Sequence, residues 1–118
     1  MIELGKGNVA VDKSFELALG IIDFTELLSK QGKKVVANQL LRSGTAVGAL
    51  VAESQDAESK ADFIHKMKIA AKEASETLYW LSVCEKMNNF GFQHALIDEV
   101  KQIVAIISKI IITARKNR

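Results

Sequence analysis

Residues 40–54 read LLRSGTAVGALVAES, and the two glycines in this stretch, Gly44 and Gly48, decide the reading of the fold. They stand four residues apart in a segment whose other apolar positions recur at helical spacing: Val36 or Ala37, Leu40, Val47 and Val51. A glycine inside a helix costs about 1 kcal/mol relative to alanine. Both glycines fall on the apolar stripe, with Ala52 one turn further along. We read them as a packing device: a missing side chain lets a second helix approach closely, and the attraction between the closely packed backbones offsets the propensity cost. The alternative is that they are merely tolerated in a loosely packed interior. A phosphate-cradling loop is not indicated, because no strand precedes the glycines and no GxxxxGK follows.

Working outward, the breaks must be set by glycine and polar clusters, since the chain has no proline. Lys30-Gln31-Gly32-Lys33 is one break. Glu53 to Ser59 is another, with Ser59 placed to cap a following helix and Asp62 three residues on in a loose capping box. Met87-Asn88-Asn89-Phe90-Gly91 is the third. Four segments remain, about 12–31, 34–57, 60–87 and 92–115. Leu17, Ile21, Phe24 and Leu28 mark the first; Phe63, Met67, Ala70, Ala74, Thr77, Leu81 and Cys84 the third; Leu96, Val100, Ile103, Ile107, Ile110 or Ile111, and Ala114 the fourth. The fourth is rich in isoleucine, which favours strands, but its length and spacing predict helix. Short loops make neighbouring helices antiparallel. The expected fold is all-α: an antiparallel up-down-up-down four-helix bundle spanning residues 1–118 as one domain.

With 118 residues, 48% hydrophobic and 25% charged, the chain has the composition of an ordinary globular domain. One cysteine, Cys84, excludes an internal disulfide and suits a reducing compartment. The N-terminal stretch lacks the order of a signal peptide, and the longest apolar runs, such as IVAII at 103–107, are far short of the roughly 20 residues of a membrane span. A cytoplasmic protein with no membrane partner is expected.

A monomeric bundle needs one apolar stripe per helix, yet two helices carry more. Phe15, Leu19 and Ile22 lie nearly opposite Leu17, Ile21, Phe24 and Leu28. On the third helix Ile69, Trp80 and Val83 lie away from the Phe63 face, flanked by Glu73 and Glu76. An aromatic anchor with apolar neighbours and surrounding charge suits a subunit contact; the alternative is that Trp80 is partly covered by its own chain. The molecule is therefore expected to be oligomeric, with Ile69, Glu73, Glu76, Trp80 and Val83 at the interface.

Chemical sites are scarce. A di-iron bundle needs Glu-x-x-His on two helices and two further glutamates; Asp62-Phe63-Ile64-His65 is the nearest approach, and His94 has Gly91 three residues before it. No metal and no cofactor is expected. Cys84 sits on the core stripe without a histidine to activate it. The chain is not expected to be an enzyme. Charge is unevenly placed: from Leu27 to Ala52 the charged residues are Lys30, Lys33, Lys34 and Arg42, with no acid among them. In an up-down bundle Lys30, Lys33 and Lys34 share an end with Lys86, while the basic C-terminal residues lie near the acidic 53–62 turn. Lys30, Lys33, Lys34, Arg42 and Lys86 are thus the candidate phosphate contacts, against the alternative of a solvated end whose lysines complement helix dipoles.

Gln39-Leu40-Leu41-Arg42-Ser43-Gly44-Thr45, Ala52-Glu53, Ser59-Lys60-Ala61-Asp62-Phe63, Lys72-Glu73-Ala74-Ser75-Glu76-Thr77 and Tyr79-Trp80-Leu81 occur in order across two of the four helices. In these pieces the chain resembles the bacterial four-helix-bundle proteins named after open reading frames in 23S rRNA intervening sequences. That resemblance implies an antiparallel bundle assembled as a homopentameric ring. It also implies a relationship to the accessory proteins of diversity-generating retroelements, which bind nucleic acid and a reverse transcriptase, and so a ribosome-associated or other RNA role. One departure is Leu50, where many members carry asparagine; the buried polar or ligand contact that this amide would make is absent here. Sequence alone leaves two readings: a ring-forming bundle that binds structured RNA or a nucleic-acid-processing protein, and a protein–protein interaction scaffold with no nucleic-acid role.

Overall fold

A methyl group placed on Gly48 would lie 3.0 Å from the backbone carbonyl oxygen of Ser14, and one on Gly44 would lie 2.8 Å from the Ile21 side chain. This close approach joins the first two of four helices in the computed structural model, which describes residues 3–87 and 92–117. The helices are α1 (Val9–Lys30), α2 (Lys34–Ser54), α3 (Lys60–Met87) and α4 (Phe92–Lys116). No strand occurs among the described residues. Each helix packs on its sequence neighbours, and α4 returns to α1; the backbones of the diagonal pairs stay more than 8 Å apart, Cα to Cα, among the described residues.

The expected stripes form the core. Leu17, Ile21 and Leu28 of α1, Leu40, Val47 and Val51 of α2, Met67, Ala74, Leu81 and Cys84 of α3, and Val100, Ile103 and Ile107 of α4 are all buried in a single cluster. At roughly 1.5–3 kcal/mol for each large apolar side chain buried, this cluster is the main stabilising term. Gly44 is itself buried between α1 and its own helix, so the glycines act as the packing device that their place on the stripe implies. Leu50 packs partly buried against the core as an ordinary aliphatic side chain.

Buried hydroxyls are satisfied within their helices. Ser14 Oγ donates to the Ala10 carbonyl at 2.7 Å and Ser54 Oγ to that of Val51 at 2.6 Å. Thr77 Oγ1 also reaches Ser43 Oγ across the α2–α3 seam at 3.1 Å.

The helix ends differ by a few residues from the expectation. α1 begins three residues earlier than residue 12, because the Asn8 side chain accepts from the Val11 amide at 3.1 Å and caps the helix. Gly32 takes φ +82°, and the Gly32 and Lys33 amides donate to the Ser29 and Leu28 carbonyls, closing the C-terminus of α1. α2 ends at Ser54 rather than 57. Ser59 Oγ accepts from the Asp62 amide at 3.0 Å, while the Asp62 carboxylate accepts from the Glu58 amide at 3.2 Å. The capping box is present, shifted by one residue on its return arm. The expected break at 87–91 lies mostly outside the described residues.

α2 is long and apolar enough, by length and composition, to cross a membrane, with a mean hydropathy of 1.2 over its best window. Uninterrupted apolar runs do not reveal this, because Arg42 and the small polar residues divide the helix into short pieces. In the fold a third of that window is buried, as one stripe packed against α1 and α3.

Gly48→Ala should lower stability by about 1–3 kcal/mol in urea unfolding, because backbone must move to admit the methyl group. The propensity gain of about 1 kcal/mol should not rescue it. Ala49→Gly, one residue along on the exposed face, should lose only about 1 kcal/mol.

Candidate assembly and nucleic-acid interfaces

Arg42 projects from α2 toward α3, where Nη1 meets Glu73 Oε1 at 3.3 Å and Nη2 pairs with Glu76 Oε2. Helical spacing puts Glu73, Glu76 and Trp80 on one flank of α3, so one guanidinium spans both carboxylates. Trp80 Nε1 donates to the same Glu76 oxygen at 3.3 Å. The Tyr79 ring meets that of Trp80 edge-on, with centroids 5.1 Å apart. Sequence reasoning groups Arg42 with the lysines and the glutamates with assembly; the structure joins all three in one cluster. The join is invisible in the sequence because it depends on the register between α2 and α3. Arg42 is half exposed, so the ion pairs are worth no more than about 1 kcal/mol each.

Trp80, Ile69 and Val83 are each half-buried by their own chain, with Trp80 packed against the core. Partial coverage of Trp80, the alternative reading, thus accounts for much of its surface. Tyr79, beside it, is 59% exposed. Lys30, Lys33, Lys34 and Lys86 are all exposed. Arg42 stands about 12 Å along α2 from Lys34 at the helical rise of 1.5 Å per residue, so it is separate from them.

The α1 stripe is different in kind. Phe15 is 41% exposed, Leu19 50% and Ile22 38%, forming an uncovered apolar row. Beside it runs acid: Asp12, Glu16, Asp23 and Glu26 belong to the same helix. Glu99 of α4 adds to it, and its carboxyl is raised above its usual value, chiefly by burial and then by the charge of Glu16, with Lys13 opposing. On α3, sequence reasoning follows the core stripe and passes over the outer one. Lys68, Lys72, Ser75, Tyr79, Ser82 and Lys86 recur at steps of four and three and are all exposed.

Among the described residues no group of three or more His, Cys, Asp or Glu side chains is arranged to hold a metal ion. His94 is exposed and its Nδ1 lies 3.2 Å from Glu85 Oε2. Cys84 is fully buried, and burial pushes its thiol above the ordinary value, away from nucleophilic use at neutral pH.

Glu99 offers a pH test. Its folded carboxyl titrates higher than the unfolded one, so folding is favoured by protonation and that contribution fades as pH rises through the raised value. Glu99→Gln should therefore raise Tm slightly at pH 7, and the gain should vanish in acid below the carboxylate range, as followed by thermal melts against pH.

The profile of the 23S rRNA-intervening sequence protein family matches residues 6–113. A crystal structure of a protein of unknown function from the S23 ribosomal protein family, from Bacteroides thetaiotaomicron VPI-5482, superposes with a TM-score of 0.83. It is 37% identical, and the match covers 87% of this chain and 98% of that one. Comparison with curated proteins gives no match. The matched span reaches into all four helices, taking in the Arg42 cluster and the uncovered α1 row, and the chain belongs to the 23S rRNA-intervening sequence protein family.

Proposed function

We propose that this protein is a non-enzymatic, cytoplasmic up-down-up-down bundle that assembles with itself into a closed ring. We further propose that it contacts structured RNA, or a ribonucleoprotein, through phosphates. The up-down order is supported by the pairs that meet: Asn8 with Gln55, Ser14 with Gly48 and Ile21 with Gly44 on one side, Glu85 with His94 on the other. The observation that carries assembly is the Phe15, Leu19 and Ile22 row, which one chain leaves in water. A homopentamer is the subunit number that the family resemblance favours.

For RNA, the supporting feature is the exposed set Lys30, Lys33, Lys34 and Lys86, gathered at one end by the up-down order. Arg42 is already neutralised by Glu73 and Glu76, so the phosphate contacts fall to the lysines. Membership of a family named for 23S rRNA intervening sequences agrees with such a partner. The scaffold reading draws on the same charge cancellation at Arg42, which removes the guanidinium best suited to phosphate.

Native mass measurement should find an oligomer; a monomer would overturn the assembly reading. Four lysine–phosphate contacts should lose about 50–150-fold in RNA affinity between about 50 and 200 mM salt. Lys33→Glu with Lys34→Glu should abolish RNA binding in a mobility-shift assay while leaving the oligomer intact. No binding at the lower salt would favour the scaffold.

A further inference from the structure

At the end of the bundle where α1 and α3 begin, the last turns of α4 border an open groove of about 480 Å³. Small-molecule sites commonly measure roughly 300–1,000 Å³. The walls follow from helical spacing. Ile103, Ile107 and Ile111 turn α4 into the core, and Ile106, Ile110 and Ala114 form a second apolar row beside them, at steps of four. This row is only half-buried, because Val9 and Phe63 reach it from the first turns of α1 and α3 and leave it open on one side. Val9 is itself 51% exposed. A polar row borders the apolar one. Lys109, Thr113 and Lys116 recur at steps of four and three and are all exposed, and the first two line the groove. No carboxylate lines it among the described residues, and α4 carries no acid after Glu99. Neither lysine has an ion-pair partner among the described residues. Two acids of this end are engaged elsewhere: Asp12 accepts from the Gly5 amide at 2.9 Å, and Asp62 accepts from the Glu58 amide and lies 3.8 Å from Lys66.

We propose that this groove binds a free single-chain carboxylate of fatty-acid type. Its hydrocarbon lies along Ile106, Ile110 and Ala114, and its carboxylate is met by Lys109 and the Thr113 hydroxyl. The proposal stands apart from the assembly and RNA readings and uses none of their residues. The two rows set the ligand chemistry. The apolar row takes hydrocarbon out of water and offers no partner to a polar body. The polar row supplies ammonium groups and a hydroxyl along one edge only, so the ligand is anionic at one end and apolar along the rest. A cationic amphiphile would set its head against lysines that have no counter-charge, which is repulsive. Length and width narrow the choice. From Ile106 to Ala114 the row runs about 12 Å along α4 at 1.5 Å per residue, which suits a medium-chain acid such as decanoate. One row on one helix holds a single chain rather than the paired chains of a membrane phospholipid.

The test is calorimetric titration of the intact chain with decanoate, kept below its micelle-forming concentration. One site per chain is expected. Hexanoate should bind at least about tenfold more weakly, since each methylene lost costs up to about fourfold. Decyltrimethylammonium, with the same tail and the opposite head charge, should bind at least about tenfold more weakly as well. Lys109→Glu should weaken decanoate about tenfold, with circular dichroism confirming helicity. Thr113→Cys puts a thiol in the groove, and because Cys84 is fully buried a maleimide reports on position 113. Decanoate should slow that labelling at least about fivefold, a readout that stands even if the charge variant fails to fold. No heat with decanoate, equal affinity for the ammonium amphiphile, or unchanged labelling at 113 with decanoate bound would each overturn the proposal. Binding to vesicles of anionic phospholipid without binding to monomeric decanoate would overturn it and give the row to a membrane surface. A change of oligomer mass in Lys109→Glu, with decanoate binding absent from the wild type, would overturn it in favour of a second copy.

Discussion

Everything in the bundle is built around the contact between Gly48 and the Ser14 carbonyl. Two helix backbones meet there with no side chain between them, a methyl group at Gly48 having 3.0 Å of room. Such proximity brings many weakly attracting atoms into range at once. It also fixes where the rest of α1 sits. With Ile21 pressed over Gly44, the Leu17–Leu28 stripe is directed inward, and the opposite side of α1 has no further helix to face.

That geometry links the core to the surface. A helix held tightly on one side presents its other side as a continuous rigid strip, and on α1 this strip is apolar. α3 presents a different surface, lysines around an aromatic ring, on the far side of the molecule. The interior thus positions both faces without using any of their residues. The Arg42 cluster plays a similar part on α3: a guanidinium held by two carboxylates steadies the tryptophan that meets Tyr79 edge-on.

Much of this is legible in the sequence. Gly44 and Gly48 point to a close helix contact because they sit four apart on an apolar stripe, where glycines merely tolerated would cost stability for no packing gain. The core stripes, the Gly32 turn and the Ser59 cap follow from local spacing and cap chemistry, which need no tertiary information. Features that depend on the register between helices are not legible. Arg42 and Glu76 are 34 residues apart, and only the packing of α2 on α3 brings them together. The lysine row on α3 escapes notice for another reason: at Lys68 and Lys72 the pattern is polar, and attention to burial discards polar positions. The start of α1 is hidden because Val9-Ala10-Val11 has no helical spacing of its own, and the signal is the Asn8 cap.

The hydroxyls along the α2–α3 seam have one more consequence. Ser43 and Thr77 bond each other, yet each also has an acceptor in its own helix, the Leu40 and Glu73 carbonyls. Parting the two helices by an ångström or two would break the shared bond without stranding either oxygen. The buried part of the seam thus needs no hydroxyl pairing to satisfy its oxygens, while Arg42 with Glu73 and Glu76 ties the same two helices at the surface.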